Sequence, residues 1–134
     1  MKIFFRHMAV PLCWAAIVIG MHGIPGYMIR YQEPWDLLKL DKLAHMGLFG
    51  MQFLLTAIAL RKQPAYSLPS KKNQLIALVF SLSLGAVLES LQGQLFIDRS
   101  TDPIDFVADC IGVMLAWLFY RFIWIRFFQK DLAR

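Results

Sequence analysis

The side chains in this chain that could do chemistry stand inside apolar sequence, and they recur at helical spacing. Asp41, His45, Gln52 and Thr56 follow one another at steps of four, seven and four, which keeps them on one helix face. Ser81, Gly85, Glu89 and Gln92 repeat the pattern, and so do Asp102, Asp105, Asp109, Gly112 and Ala116. An ionisable group at the centre of a bilayer costs about 2.5–3.5 kcal/mol on insertion scales, and less near the surface. Three polar faces at the ends of three apolar runs therefore point to one site.

Its chemistry is set by crowding. Asp41, Glu89, Asp102, Asp105 and Asp109 are balanced only by Lys42, Arg99 and a protonated His45. Such a surplus retains a proton or recruits a cation. Oxygen donors with one histidine suit Mg²⁺, Ca²⁺ or Zn²⁺, although no complete metal motif is present. Helix N-termini beside an arginine also suit phosphate, so the ligand class extends to a phospholipid or polyprenyl-phosphate headgroup, held directly or through a divalent cation. The expected ligand-binding set is Asp41, Lys42, His45, Glu89, Gln92, Arg99, Asp102, Asp105 and Asp109. Within it Glu89, Asp105 and His45 are the candidates for general acid–base work, with Arg99 assisting.

Each residue also has a plainer reading. Asp102 before Pro103 has the form of a helix N-cap, and Asp41 is a second candidate cap. His45, Glu89 and Gln92 can serve as interhelical hydrogen-bond glue, but an amide or hydroxyl is cheaper glue than the Glu89 carboxylate. Gln52 and Thr56 read as structural. Asp98 reads as a solvated loop charge.

The elements that must position these groups are membrane helices. The 134 residues are 58% apolar and 17% charged, against about 45–50% and about 25% in soluble domains. Four apolar runs stand out, at about 8–23, 43–60, 75–91 and 104–125, which predicts a single all-α domain over 1–134: an integral membrane bundle of four transmembrane helices. Residues 23–40 read as a loop through Pro25, Gly26 and Pro34, with Tyr27, Tyr31 and Trp35 suited to a membrane–water boundary. Residues 63–70 read as a turn through Pro64 and Pro69. The basic start could open a signal peptide, but no small-x-small cleavage site follows, so the first run is expected to stay as a span.

Bases flank the runs asymmetrically. Lys2 and Arg6, then Arg61, Lys62, Lys71 and Lys72, then Arg121, Arg126, Lys130 and Arg134 mark one side. The positive-inside rule puts both termini and the 61–72 connection in the cytoplasm, and the polar ends of the last three runs outside. The same placement argues against nucleic acid as a partner, despite a net charge of +5. Ser81 with Gly85, and Gly112 with Ala116, have the spacing that lets membrane helices approach closely. Cys13 and Cys110 lack metal spacing and read as small buried residues.

The order Asp41-Lys42-x-x-His45, Glu89-x-x-Gln92, then Arg99-x-x-Asp102-x-x-Asp105-x-x-x-Asp109-x-x-Gly112 resembles the VanZ-like family of small bacterial membrane proteins. The resemblance covers about 41–112. Where the family pattern carries Asn, this chain has Asp109, which adds a charge. The resemblance implies a multi-pass protein of the bacterial cytoplasmic membrane that acts on the cell envelope or its lipids. The family's name-giving member is associated with resistance to the glycopeptide antibiotic teicoplanin, so antibiotic resistance is implied by resemblance alone, without a defined reaction.

Three function classes remain open: an envelope protein binding a lipid-linked or glycopeptide-type ligand, an intramembrane hydrolase or transferase with a carboxylate base, and a structural subunit. The histidine, paired-glutamate and serine signatures of known membrane hydrolases are missing from the sequence.

Overall fold

The computed structural model describes residues 2–24, 34–63, 70–95 and 102–124. They form four helices in chain order: α1 Lys2–His22, α2 Pro34–Arg61, α3 Ser70–Leu95 and α4 Pro103–Phe119, with α4 continuing into a π-helical turn over Tyr120–Trp124. The expectation of an all-α bundle holds. Three helices are long and apolar enough to cross a membrane, at Leu40–Arg61, Lys71–Gln92 and Pro103–Phe122. At 1.5 Å per residue these are about 30–33 Å long, matching the hydrocarbon core. The apolar part of α1, His7–His22, is shorter at about 24 Å. The chain is thus a multi-pass membrane protein with three candidate spans by helix length and composition.

Burial is inverted relative to a water-soluble protein. His45, Gln52, Thr56, Ser81, Glu89, Gln92, Asp105 and Asp109 are buried, whereas Leu43, Val79, Val87, Ile104, Ile111 and Leu115 are exposed. Lipid is as apolar as leucine, so nothing drives these exposed residues inward, while polar groups must find partners inside the bundle. The apolar core lies around α2, where Phe49, Phe53 and Ala57 meet Val18, Ala77, Leu88, Val113, Ala116 and Tyr120.

α2 is the central helix and packs most extensively on α4. The cause is glycine: a Cβ on Gly112 would stand 2.2 Å from the Met46 carbonyl oxygen, and one on Gly50 would stand 2.9 Å from the Gly112 carbonyl oxygen. Of the expected small-residue pair on α3, Gly85 lies against Asp109 and Phe49, while the Ser81 hydroxyl turns back to the Ala77 carbonyl at 2.9 Å. α1 is tied to α2 by polar contacts. Trp14 donates to the Leu48 carbonyl at 3.0 Å, and the Gln52 amide donates to the Pro11 carbonyl at 3.2 Å.

Three expectations are corrected, and the end of the last run is refined. The stretch up to Leu40 is not all loop, because α2 starts at Pro34; proline's fixed φ and missing N–H suit a first helical position. Asp41 therefore lies two turns inside α2 and cannot cap it. The α-helix of the last run stops at Phe119, where the Tyr120 N–H is shared between the Ala116 and Trp117 carbonyls before the π-helical turn; Ile125 lies outside the described residues. Cys13 is exposed and Cys110 half-buried, since an apolar residue of a membrane helix can equally face lipid.

Candidate functional site

The up-and-down course of the chain brings the end of α1, the start of the spanning part of α2, the end of α3 and the start of α4 to one end of the bundle. Asp102 opens α4 as its N-cap. Its backbone is extended (φ −116°, ψ 105°), and its carboxylate accepts the Ile104 N–H at 2.9 Å. The capping expectation holds, but capping is only part of what Asp102 does. Its other carboxylate oxygen takes the Lys42 ammonium at 2.8 Å, and Lys42 also donates to Asp105 Oδ1. The Lys42 ammonium, followed by the Ile104 N–H, holds the Asp102 carboxyl below its ordinary value.

One turn further along α2 stands His45, buried against α4. Its Nδ1 is 2.8 Å from Asp109 Oδ1, and with Asp109 ionised, and so only an acceptor, Nδ1 carries the proton of that bond. Nε2 then faces Asp105 Oδ2 at 3.9 Å and Asp41 Oδ1 at 4.0 Å. Asp109 reaches His45 past Gly85, whose missing side chain leaves room for the carboxylate.

α3 contributes Glu89 and Gln92. Glu89 Oε1 accepts the Asp102 backbone N–H at 2.6 Å, which joins α3 to the α4 cap. Its other oxygen, Oε2, and the Gln92 amide nitrogen are buried without a hydrogen-bond partner among the described residues. Unsatisfied buried groups of this kind are costly, and each calls for a physical reason.

The structure thus brings Asp41, Lys42, His45, Glu89, Asp102, Asp105 and Asp109 together and buries Gln92 on the helix turn after Glu89. Arg99 and Asp98 lie outside the described residues. Gln52 and Thr56 sit apart from the cluster: the Gln52 amide donates to Thr56 Oγ1 at 3.1 Å, and Thr56 donates to the Gln52 carbonyl at 2.8 Å.

Sequence reasoning missed His22. Its ring stands edge-on to His45 with centroids 5.0 Å apart, and Phe49 stacks on the other ring at 6.3 Å. The available signal was its position, a histidine closing the first apolar run on the side where the other polar faces gather.

Among the described residues five carboxylates gather around one doubly paired lysine and His45, an acidic surplus in charge terms. Asp41, His45 and Asp105 offer three donor atoms that all lie within 4.8 Å of one another, a group that could hold a metal ion. No family model matches the chain, and neither does any curated protein or solved structure.

Proposed function

We propose that this chain is a four-span, VanZ-like protein of the bacterial cytoplasmic membrane that binds the phosphate headgroup of an envelope lipid in its polar chamber. In this reading α1 is the fourth span, lengthened by its basic start, both termini are cytoplasmic, and the chamber opens on the outer face. The observation that carries the reading is the convergence of carboxylates from three helices at one end of the bundle, beside two unpartnered buried polar atoms of α3. Within the cluster Glu89 Oε2 and Gln92 Nε2 lack partners among the described residues, as do Gln52 Oε1 and Asn73 Oδ1 elsewhere, but of these only Glu89 is a carboxylate. Lys42 is already held by two carboxylates, so the acidic surplus favours a cation as the intermediary to phosphate. The exposed apolar faces around the chamber suit the lipid's chains.

The test is native mass spectrometry of detergent-released protein with polyprenyl phosphate, phosphatidic acid and uncharged diacylglycerol. The phosphate-headed lipids should be retained preferentially, and Glu89→Gln should reduce that preference. Equal retention of the uncharged lipid would overturn the reading. Reporter fusions after Gln63 and at the C-terminus should report cytoplasm, and one at Asp98 the outer side. The glycopeptide resistance associated with the family is tested by teicoplanin susceptibility with and without expression. A hydrolytic reading has one observation in its favour, the Asp109–His45 pair that orients an imidazole as in general-base catalysis. Release of inorganic phosphate from the bound lipid would favour it over binding alone.

A further inference from the structure

We infer that Asp41, His45 and Asp105 form a divalent transition-metal site, of the Zn²⁺ kind, with Asp109 as the residue that orients the histidine ligand. This rests on the reading of the chamber as a binding site and names its cofactor. Three features beyond acidity support it.

The first is the histidine's proton. A metal-bound imidazole characteristically gives its other N–H to a carboxylate, and here His45 gives Nδ1–H to Asp109 Oδ1 at 2.8 Å. In the neutral imidazole that leaves the Nε2 lone pair for an ion, and Nε2 is the atom that faces Asp41 and Asp105.

The second is distance. An ion about 2.1 Å from each donor holds tetrahedral ligands about 3.4 Å apart. Nε2 lies 3.9 Å from Asp105 Oδ2 and 4.0 Å from Asp41 Oδ1, and all three donors lie within 4.8 Å of one another, so the two histidine pairs must close by about half an ångström and the carboxylate pair by at most about 1.4 Å. Asp41 is the most exposed of the three, so its side chain can supply most of that movement.

The third is the unpartnered carboxylate oxygen of Glu89. This residue is only 6% exposed, and its charge couples to Asp105, His45 and Asp109. A dication in the cluster, or a water bound to it, gives that oxygen a partner. Lys42 does not block the site, because it holds Asp105 by Oδ1 and leaves Oδ2 to the ion. One imidazole with two carboxylates favours Zn²⁺ or Mn²⁺ over Ca²⁺, which takes a larger all-oxygen shell.

The experiment uses untagged full-length protein in detergent, stripped with chelator, then titrated with Co²⁺ as a visible probe and with Zn²⁺, Mn²⁺, Mg²⁺ and Ca²⁺ followed by thermal melting. One Co²⁺ per chain should bind, be displaced by Zn²⁺, and show one imidazole nitrogen among oxygen ligands by X-ray absorption. His45→Asn and Asp105→Asn should lose binding by at least about 100-fold, and Asp109→Asn by about 10–100-fold as an outer-shell residue. Lys42→Gln should bind as tightly or more tightly, since a competing positive charge is removed. Unsaturable binding, or wild-type affinity in both His45→Asn and Asp105→Asn, would overturn the assignment. Where a variant loses its helical fold, the wild-type complex still decides, because an all-oxygen shell excludes His45. Metal binding without phosphate-lipid retention would sink the functional reading and leave this site standing; lipid retention without metal binding would do the reverse.

Discussion

Gly112→Ala is the sharpest single perturbation of this bundle. The added Cβ would lie 2.2 Å from the Met46 carbonyl oxygen and 2.6 Å from its Cα, whereas ordinary contact begins at 3.4 Å. Relief requires α2 and α4 to part by about 1.2 Å, because backbone atoms have no rotamer through which to yield. Passed on to the His45–Asp109 bond of 2.8 Å, that separation gives about 4 Å, beyond hydrogen-bond range. Overpacking costs typically about 1–3 kcal/mol, so the upper end or more is expected here, with loss of the site geometry added. Gly50→Ala, 2.9 Å from the Gly112 carbonyl oxygen, should cost about 1 kcal/mol. Gly47→Ala meets nothing within 4 Å and should be neutral or more stable by up to about 1 kcal/mol. The assay is the midpoint of denaturing-detergent unfolding, read by helicity and Trp fluorescence. If Gly112→Ala unfolds at the same midpoint as Gly47→Ala, the close crossing of α2 and α4 is refuted.

Asp102 gives a pH signature. Lys42 holds its carboxyl below the unfolded value, so the contact stabilises at pH above about 4 and is lost as pH falls through the folded value. Melting temperature should fall on acidification below about pH 4, and fall less steeply in Asp102→Asn; parallel curves would remove the ion pair. Glu89→Gln should keep the fold to within about 1 kcal/mol, since an amide oxygen still accepts the Asp102 N–H, while weakening any cation or headgroup response. Unchanged responses in that variant would make the carboxylate simple glue. Trp117→Phe removes the 2.9 Å bond to Gln74 Oε1 and should cost about 0.6–1.7 kcal/mol in the same unfolding assay, with no effect on the distant site.

The three polar faces were legible because helical spacing and the cost of charge in lipid are both readable from sequence. All three face into the bundle, buried except at Asp41 and Asp102, and the seams Lys42–Asp102, His45–Asp109 and Glu89–Asp102 join them. Other features misled or stayed silent for physical reasons. Pro34 breaks a helix from inside but starts one from the first turn, and only the backbone distinguishes the two. Cys13 is apolar in sequence whether it faces core or lipid, so its exposure was not readable. The π-helical turn at Tyr120 leaves no mark in an apolar run. His22 was overlooked because a lone histidine at a helix end carries no spacing signal; only the α1–α2 packing puts it against His45.

The bundle holds two kinds of polar residue. Thr56 and Ser81 return their hydroxyls to carbonyls four residues earlier on their own helices, and Ser90 does the same with Ala86 at 2.7 Å. Such bonds satisfy a polar group locally and ask nothing of a neighbouring helix. Lys42, His45 and Glu89 instead spend their bonds across helices, on Asp102, Asp105 and Asp109. Hydroxyls can satisfy themselves on their own backbone, whereas carboxylates can only accept, so a helix that carries them must be met by donors from elsewhere. Lys42 and His45 are the side-chain donors that reach them here, and they leave a net acidic surplus with one buried oxygen, Glu89 Oε2, unmet among the described residues. A bundle that needed only to hold together could have closed this end with amides, at lower cost and with no charge to balance. The acidic surplus among the described residues is what the proposed cation would balance, and the His45 Nε2 face is where three donor atoms lie within 4.8 Å of one another.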